Sequence, residues 1–268
     1  MYGVGFGIGA IGATTKRSSG VAIDTDAQAF FTASGITDLT QKSAVNQLVL
    51  DLKSNSLWTK MKALYPIVGG NATAHSYNLK NTSQFQLSFS SGWTHSSTGM
   101  LPNGTSAYAN TGLNTSTVLN ENSSHYSIYL NTNTDGFYID LGNRDADSEN
   151  IFIPKTGNST FINVNTTYGL RISVSNTDSR GLYVLSRTTS NLMTYFKNNS
   201  KITTSSASSG SVNGNFYLSA WNDNGTPNYF SNRNISICTI GDSLSDTEST
   251  NLSTCINTFN TTLGRNTY

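Results

Sequence analysis

The stretch Leu57-Trp58-Thr59-Lys60-Met61-Lys62-Ala63-Leu64-Tyr65-Pro66-Ile67-Val68-Gly69-Gly70 divides the chain into two patterns. Before it, apolar residues recur at helical spacing; after it, they alternate in short runs. Read as a helix, it puts Leu57, Met61 and Leu64 on one face with Trp58 and Tyr65 beside it, and that face should be buried. Pro66 cannot extend a helix and biases Tyr65 away from helical dihedrals. Gly69 and Gly70 then let the chain turn into the first strands. The expectation is a helix that docks a helical layer onto a large β-domain.

Upstream, Asp24 or Thr25 can cap a short helix carrying Ala27, Phe30 and Phe31, which Gly35 ends. Asp38 or Thr40 can cap a second, in which Ala44, Val45, Leu48, Val49 and Leu52 form one apolar stripe. Ahead of both lies Gly3-Val4-Gly5-Phe6-Gly7-Ile8-Gly9-Ala10-Ile11-Gly12, followed by Lys16-Arg17. Positive charges that follow an apolar run, and a run this short, predict neither an export signal nor a membrane span. An extended glycine-alternating segment has one bare face and cannot form a core alone. It reads either as an unstructured terminus or as an arm that binds a partner through Phe6, Ile8 and Ile11.

Downstream, apolar alternation bounded by turn residues recurs in Phe85-x-Leu87-x-Phe89, Tyr126-x-Ile128-x-Leu130, Phe137-x-Ile139-x-Leu141 and Ile151-x-Ile153. It continues in Leu170-x-Ile172-x-Val174, Leu182-x-Val184, Phe216-x-Leu218-x-Ala220 and Ile235-x-Ile237. Tyr195 to Ile202 predicts a hairpin whose Asn198 and Asn199 tolerate left-handed dihedrals. The Ser- and Thr-rich run from Thr203 to Ser211 predicts a polar loop. Ser245-x-x-Glu248 is a capping box opening a last helix with Leu252, Cys255, Ile256, Phe259 and Leu263, ended by Gly264. The fold class expected is mainly β: an antiparallel β-sandwich or jelly roll, with an N-terminal helical layer and a C-terminal helix. Its divisions are an arm (1–23), a helical attachment segment (24–66), the sandwich (67–240) and the last helix (241–268).

With 12% charged residues and a net charge of +1, the 268-residue chain lacks the electrostatic footprint of a nucleic-acid or anionic-membrane partner. Cys238 and Cys255 suggest buried free thiols, a single bridge being the alternative. The frequent Asn-x-Ser/Thr triplets follow from a composition rich in those residues.

Phe196-Lys197-Asn198-Asn199 is similar to the Tyr/Phe-x-Asn-Gly hairpin of laminin-G-like and concanavalin A-like sandwiches, with Asn199 in place of the usual Gly. Asn232-Arg233 leading into Ile235 to Ile240, followed by Leu244-Ser245-Asp246-x-x-Glu248, resembles the closing strand and short helix of that group. The helical entry with Trp58 to Pro66 resembles the lead-in to such domains in phage virion proteins. The resemblance implies a structural protein exposed on a phage particle, as a fibre, spike or capsid-attached protein; the alternatives are a carbohydrate-binding adhesin with a loop pocket near Trp93 or Trp221 and, more remotely, a serine hydrolase centred on Ser243. The resemblance further implies attachment through other virion proteins, an oligomeric state as a homo-oligomer and contact with a host-surface glycan.

Gly241-Asp242-Ser243-Leu244 matches the nucleophile block of GDSL hydrolases, but no histidine follows it in the chain; the three are His75, His95 and His125. The expected role is capping, by Asp242, Ser243 or Ser245, after a turn at Gly241, with Ser245 and Glu248 closing the box; no catalytic residue is expected. Trp93, His95, Asn103, Trp221 and Asn222 are the candidate glycan-binding residues, since an aromatic face takes the apolar face of a sugar and amides satisfy its rim. Asp135, Asp145, Asp147 and Asn150 supply oxygen atoms without EF-hand spacing, and the histidines lack zinc spacing, so no metal or cofactor is expected.

Overall fold

The computed structural model describes residues 1–3 and 22–267. Helices α1 (Thr25–Ser34) and α2 (Leu39–Ser54) open the fold, and strand β1 (Met61–Tyr65) precedes the short helix α3 (Ala72–Ser76). Strands β2 (Ser88–Phe89), β3 (Trp93–Ser96), β4 (Gly99–Pro102) and β5 (Ala109–Asn114) lead into the one-turn helix α4 (Thr115–Val118). There follow β6 (Ser124–Leu130), β7 (Leu141–Arg144), β8 (Ser148–Thr156), β9 (Ser159–Thr167), β10 (Ile172–Ser175), β11 (Gly181–Thr189), β12 (Leu192–Lys197) and β13 (Ser200–Ser205). The chain closes with β14 (Asn215–Leu218), β15 (Trp221–Asp223), β16 (Thr226–Asn228), β17 (Ile235–Gly241) and α5 (Asp246–Thr262).

The strands form two sheets. The first runs β13-β12-β11-β6-β17-β4-β3, with β1 also on β17; the second runs β10-β9-β8-β7-β14-β5-β2, with β15 parallel to β7 and β16 beyond it. Between them lies a core that includes Tyr126, Ile128, Leu185 and Ile240 of the first sheet and Leu141, Phe152, Ile162 and Phe216 of the second. Across it Tyr126 stacks on Phe216 with ring centroids 4.4 Å apart. The other face of the first sheet presents Tyr129, Leu182, Val184, Phe196 and Ile237 to a layer built from Phe30, Phe31, Val45, Leu48, Leu252, Ile256 and Phe259 of the helices. The result is a mainly β sandwich with α1, α2, α3 and α5 in one outer layer.

Local signals set the helix ends. Asp24 and Asp38 accept hydrogen bonds from Asp26 N and Gln41 N, and Gly35 terminates α1 in the left-handed region at φ 68°. The capping box of α5 is complete: Ser245 Oγ accepts from Glu248 N, and the Glu248 carboxylate accepts from Ser245 N. The hairpin between β12 and β13 turns on Asn198 and Asn199, at φ 48° and 66°.

The helix expected across Leu57 to Tyr65 is instead one 3-10 turn, Trp58–Lys60, followed by strand β1 paired antiparallel with β17. The reason is burial on both faces. Met61 and Leu64 pack into the helical layer while Ala63 and Tyr65 enter the inter-sheet core, so period-two alternation is erased and the remaining spacing imitates a helix. The helical segment expected over 24–66 therefore ends in a strand of the sandwich.

Other expected strands are shorter than their patterns. Phe85, at φ 54°, lies outside β2, and Phe137 to Asp140 is loop ahead of β7. The run from Thr203 to Ser211 begins as strand, since β13 reaches Ser205. Cys238 and Cys255 are free and buried, one in the inter-sheet core and one among the helices. Burial pushes the Cys255 thiol up to about 11 and the Cys238 thiol higher still. No helix of the described residues is long and apolar enough to cross a membrane. Phe6, Ile8 and Ile11 of the expected arm lie outside the described residues.

Candidate functional site

The GDSL-like block sits where β17 hands over to α5. Gly241 does not turn the chain as expected; it is a strand residue packed against backbone, where an added β-carbon would overlap the Lys60 carbonyl oxygen and lie 2.8 Å from His125 Cε1. Ser243 Oγ pairs with Ser123 Oγ at 3.0 Å. His125 does fold back onto the block, but its Nδ1 meets the Asp242 carbonyl oxygen at 2.6 Å and its Nε2 meets Thr239 Oγ1 at 3.0 Å. Both ring nitrogens are thus engaged away from Ser243, and burial pulls the imidazole down to about 4. A nucleophile needs a base on its own hydroxyl, and Ser243 has none here.

Trp93, His95 and Asn103 lie near the β3–β4 edge of the first sheet, where each makes a contact within the fold. Trp93 Nε1 donates to the Tyr108 carbonyl at 3.2 Å, and the ring packs edge-on to Phe89 of the second sheet at 5.4 Å, closing the end of the core. His95 Nδ1 lies 2.9 Å from Nδ1 of the buried His75. Asn103 Oδ1 accepts from the amides of Thr105, Ser106 and Ala107, each at 3.0 Å, and so builds its turn. Trp221 belongs to a different cluster, on the outer face of the second sheet, and Asn222 follows it in β15. The five residues do not form one site.

That outer face carries the more developed arrangement. Ile139, Ile151, Ile153 and Trp221 form a small buried cluster on it. Trp221 lies flat because β7 carries Gly142, where a β-carbon would come within 2.8 Å of Trp221 Cδ1 and 2.6 Å of the Asn150 carbonyl oxygen. The indole Nε1 donates to that carbonyl at 3.2 Å. Asn222 fixes the following hairpin, donating to Asn215 O and accepting from Gly225 N.

Around the buried indole stands a row of exposed rings. Tyr168 stacks along Trp221 with centroids 6.1 Å apart and planes inclined by 19°, Tyr229 lies 6.1 Å on another side, and Phe137 meets Tyr229 edge-on at 5.3 Å. Phe137, Tyr168 and Tyr229 are 41, 47 and 49% exposed, whereas Trp221 is 2% exposed. Two guanidinium groups lie over these rings: Arg144 at 4.5 Å from Tyr168 and 5.4 Å from Trp221, Arg171 at 5.4 Å from Trp221 and 5.8 Å from Phe137.

Carboxylates hold both guanidiniums in place. Arg171 donates from Nε and Nη2 to the two oxygens of the fully buried Glu149, at 3.1 and 3.2 Å, and Asn163 Nδ2 donates to the same carboxylate at 2.7 Å. Arg144 Nε pairs with Asp223, which also accepts from Asn228 Nδ2. The loop that carries Phe137 is fixed from beneath by Arg233, whose guanidinium donates to the carbonyls of Thr134, Gly136 and Lys155 and pairs with Asp140 at 2.7 Å; both side chains are buried.

The architecture has parallels. No family model and no curated protein matches the chain. Among solved structures it is similar to a mutant Trypanosoma rangeli sialidase displaying trans-sialidase activity, at 7% identity and a TM-score of 0.54 over 82% of this chain and 39% of that one. It is also similar to the botulinum neurotoxin serotype D binding domain, at 8% identity and 0.49 over 72% and 51%. A further match is domain 4 of AbnA, an extracellular arabinanase of Geobacillus stearothermophilus in complex with arabinotriose, at 11% identity and 0.43 over 72% and 98%. The chain spans about two fifths of the length of that sialidase. At 7% identity the likeness to the sialidase shows the fold alone.

Of the residues weighed for a cation, Asp145, Asp135 and Asn150 use side-chain oxygens within the fold. Asp145 accepts from the amides of Asp147, Ser148 and Asn213; burial raises its carboxyl, but these amides hold it below the usual range. Asp135 accepts from Gly157 N, and Asn150 Oδ1 from Asn165 N. Sequence reasoning found Trp221 of the outer face but not Tyr168, Tyr229, Arg144 or Arg171. The one local signal was an arginine set between apolar residues in Leu170-Arg171-Ile172.

Proposed function

We propose that the chain is a carbohydrate-binding domain whose ligand lies along the outer face of the second sheet. The observation that carries the reading is the row of exposed rings, Phe137, Tyr229 and Tyr168, standing around an arginine-capped tryptophan on the sheet face that the helices leave open. Large rings that remain half exposed while rigidly seated offer contact area at little conformational cost, as a flat apolar sugar face requires. Guanidinium groups oriented by buried or partly buried carboxylates supply hydrogen-bond donors at the rim. The likeness in fold to a sialidase agrees with such a role without assigning it.

Retardation of the protein in gels containing polysaccharide tests the reading. Binding that falls in Tyr168→Ala and Tyr229→Ala, each still folded, supports it; binding unchanged in the double variant overturns the site. The expected phage setting is a proposal of its own, resting on the sequence resemblance. Immunogold labelling of intact particles with antibody against residues 70–240 tests that setting.

A further inference from the structure

Resting on the carbohydrate-binding reading, we propose that the saccharide recognised by the Tyr168–Trp221–Tyr229 face is uncharged, and that Arg144 and Arg171 read its hydroxyl groups rather than a carboxylate, sulfate or phosphate. Two arginines beside exposed rings would ordinarily suggest an anionic ligand, since a guanidinium fork matches a carboxylate in two-point geometry. Here each guanidinium already faces a carboxylate of its own. Glu149 takes Nε and Nη2 of Arg171, one of the two edges at which a guanidinium binds a carboxylate, and offsets its charge; Asp223 takes Nε of Arg144 and offsets the other.

The charge in the surroundings points the same way. Arg144 runs directly into Asp145 and Asp147; Asp147 is exposed, and its carbonyl oxygen accepts from Tyr168 N at 3.1 Å, placing that acid at the Tyr168 end of the row. The two cations are therefore matched by Glu149 and Asp223, with two further acids beside Arg144. An anion approaching the rings meets a field that is balanced or negative.

Donors nonetheless remain. Arg171 Nη1 has no protein acceptor among the described residues, and Arg144 Nη1 has only the Asp145 carbonyl at 3.3 Å. A guanidinium that keeps its outward N–H groups while its charge is offset by a fixed carboxylate can donate to hydroxyl oxygens, and the phenol groups of Tyr168 and Tyr229 can both donate and accept. The exposed rings run from Phe137 to Tyr229, 5.3 Å apart, and on across the buried Trp221 to Tyr168 on its other side; a spread of that kind suits an extended chain of sugars better than a single terminal residue.

The test is affinity electrophoresis of the full chain in gels containing neutral polysaccharides (arabinan, glucan, mannan, galactan) or carboxylated ones (polygalacturonate, alginate, polysialic acid). It is run at about 0.01 M and about 1 M salt, between which the screening length falls from ~30 Å to ~3 Å. The expected result is retardation by at least one neutral polymer, insensitive to salt and weakened roughly tenfold by Tyr168→Ala. Arg171→Gln should weaken it as well. Retardation by carboxylated polymers alone, lost at high salt, overturns the inference but leaves the carbohydrate-binding reading standing. No retardation by any polymer overturns both. Circular dichroism of each variant separates lost binding from lost folding.

Discussion

Gly241 and Lys60 approach so closely that no β-carbon fits between them: one built on Gly241 would overlap the Lys60 carbonyl oxygen. The same carbonyl accepts from Asp242 N at 2.9 Å, so the contact fixes β1 against the end of β17. Gly241→Ala should therefore destabilise the fold by about 1–3 kcal/mol or more, because backbone rather than a flexible side chain must yield. Ser243→Ala, which removes one hydroxyl contact with Ser123, should cost about 1 kcal/mol or less. Urea unfolding of the two variants checks the order. A larger loss at Ser243 would mean that its hydroxyl supports more than this contact.

Acid should loosen the fold through its buried histidines. Burial, with help from His95 and Arg265, pulls His75 down to about 3, and burial pulls His125 down to about 4. Both are neutral in the folded chain at pH 6, whereas in the unfolded chain they take up protons below about 6.5. Stability is thus fully present above about pH 6.5 and falls as pH drops toward 4 for His125 and toward 3 for His75. The loss approaches ~1.4 kcal/mol per pH unit for each group. Thermal midpoints should decline steadily from pH 7 to pH 4.5, and His125→Gln should flatten part of that slope. A midpoint independent of pH over this range would contradict the assignment.

The pair Arg233 and Asp140 is buried and bears on both stability and binding. Removing the guanidinium in Arg233→Met leaves the Asp140 carboxylate without its cation and the carbonyls of Thr134, Gly136 and Lys155 without a shared donor. A loss of about 3–5 kcal/mol is expected. The double change Arg233→Met with Asp140→Leu should recover part of it, yet polysaccharide binding should stay weak, because the loop holding Phe137 has lost its anchor. Denaturant titration together with gel retardation reads both effects.

Adjacent asparagines in one turn should respond in opposite directions. Asn199, at φ 66°, has no hydrogen bond from its side chain among those that hold the turn, so Asn199→Gly should be neutral or stabilising by up to ~1 kcal/mol. Asn198 is different: its Oδ1 accepts from Leu182 N at 2.8 Å and lies against Gly181. Asn198→Gly should cost about 1 kcal/mol. Thermal denaturation of both single variants decides the matter.

Much of this architecture is readable from local chemistry. As helix caps, Asp24, Asp38, Ser245 and Glu248 act within a few residues of themselves, and the left-handed dihedrals of Asn198 and Asn199 are a local choice as well, so sequence exposes them. Met61 to Tyr65 misleads because its burial is decided by two distant partners, the helical layer and the second sheet. The outer face is harder still. Phe137, Arg144, Tyr168, Arg171, Trp221 and Tyr229 come from separate loops and strand ends, and only sheet pairing assembles them. Trp93 and Asn103 carry the composition of a sugar site, but the first closes a core edge and the second builds a turn.

The helices and the ringed face lie on opposite sides of the sandwich, and α1 begins on the helical side. A copy held through that side directs its rings away from its support. Several copies held alike would share one orientation, and a long saccharide crossing them would engage each in turn. For such an array, strength would come from effective concentration, which can exceed single-site affinity by about 10²–10⁴ without any new contact. Weak individual binding would then be no obstacle to firm adhesion.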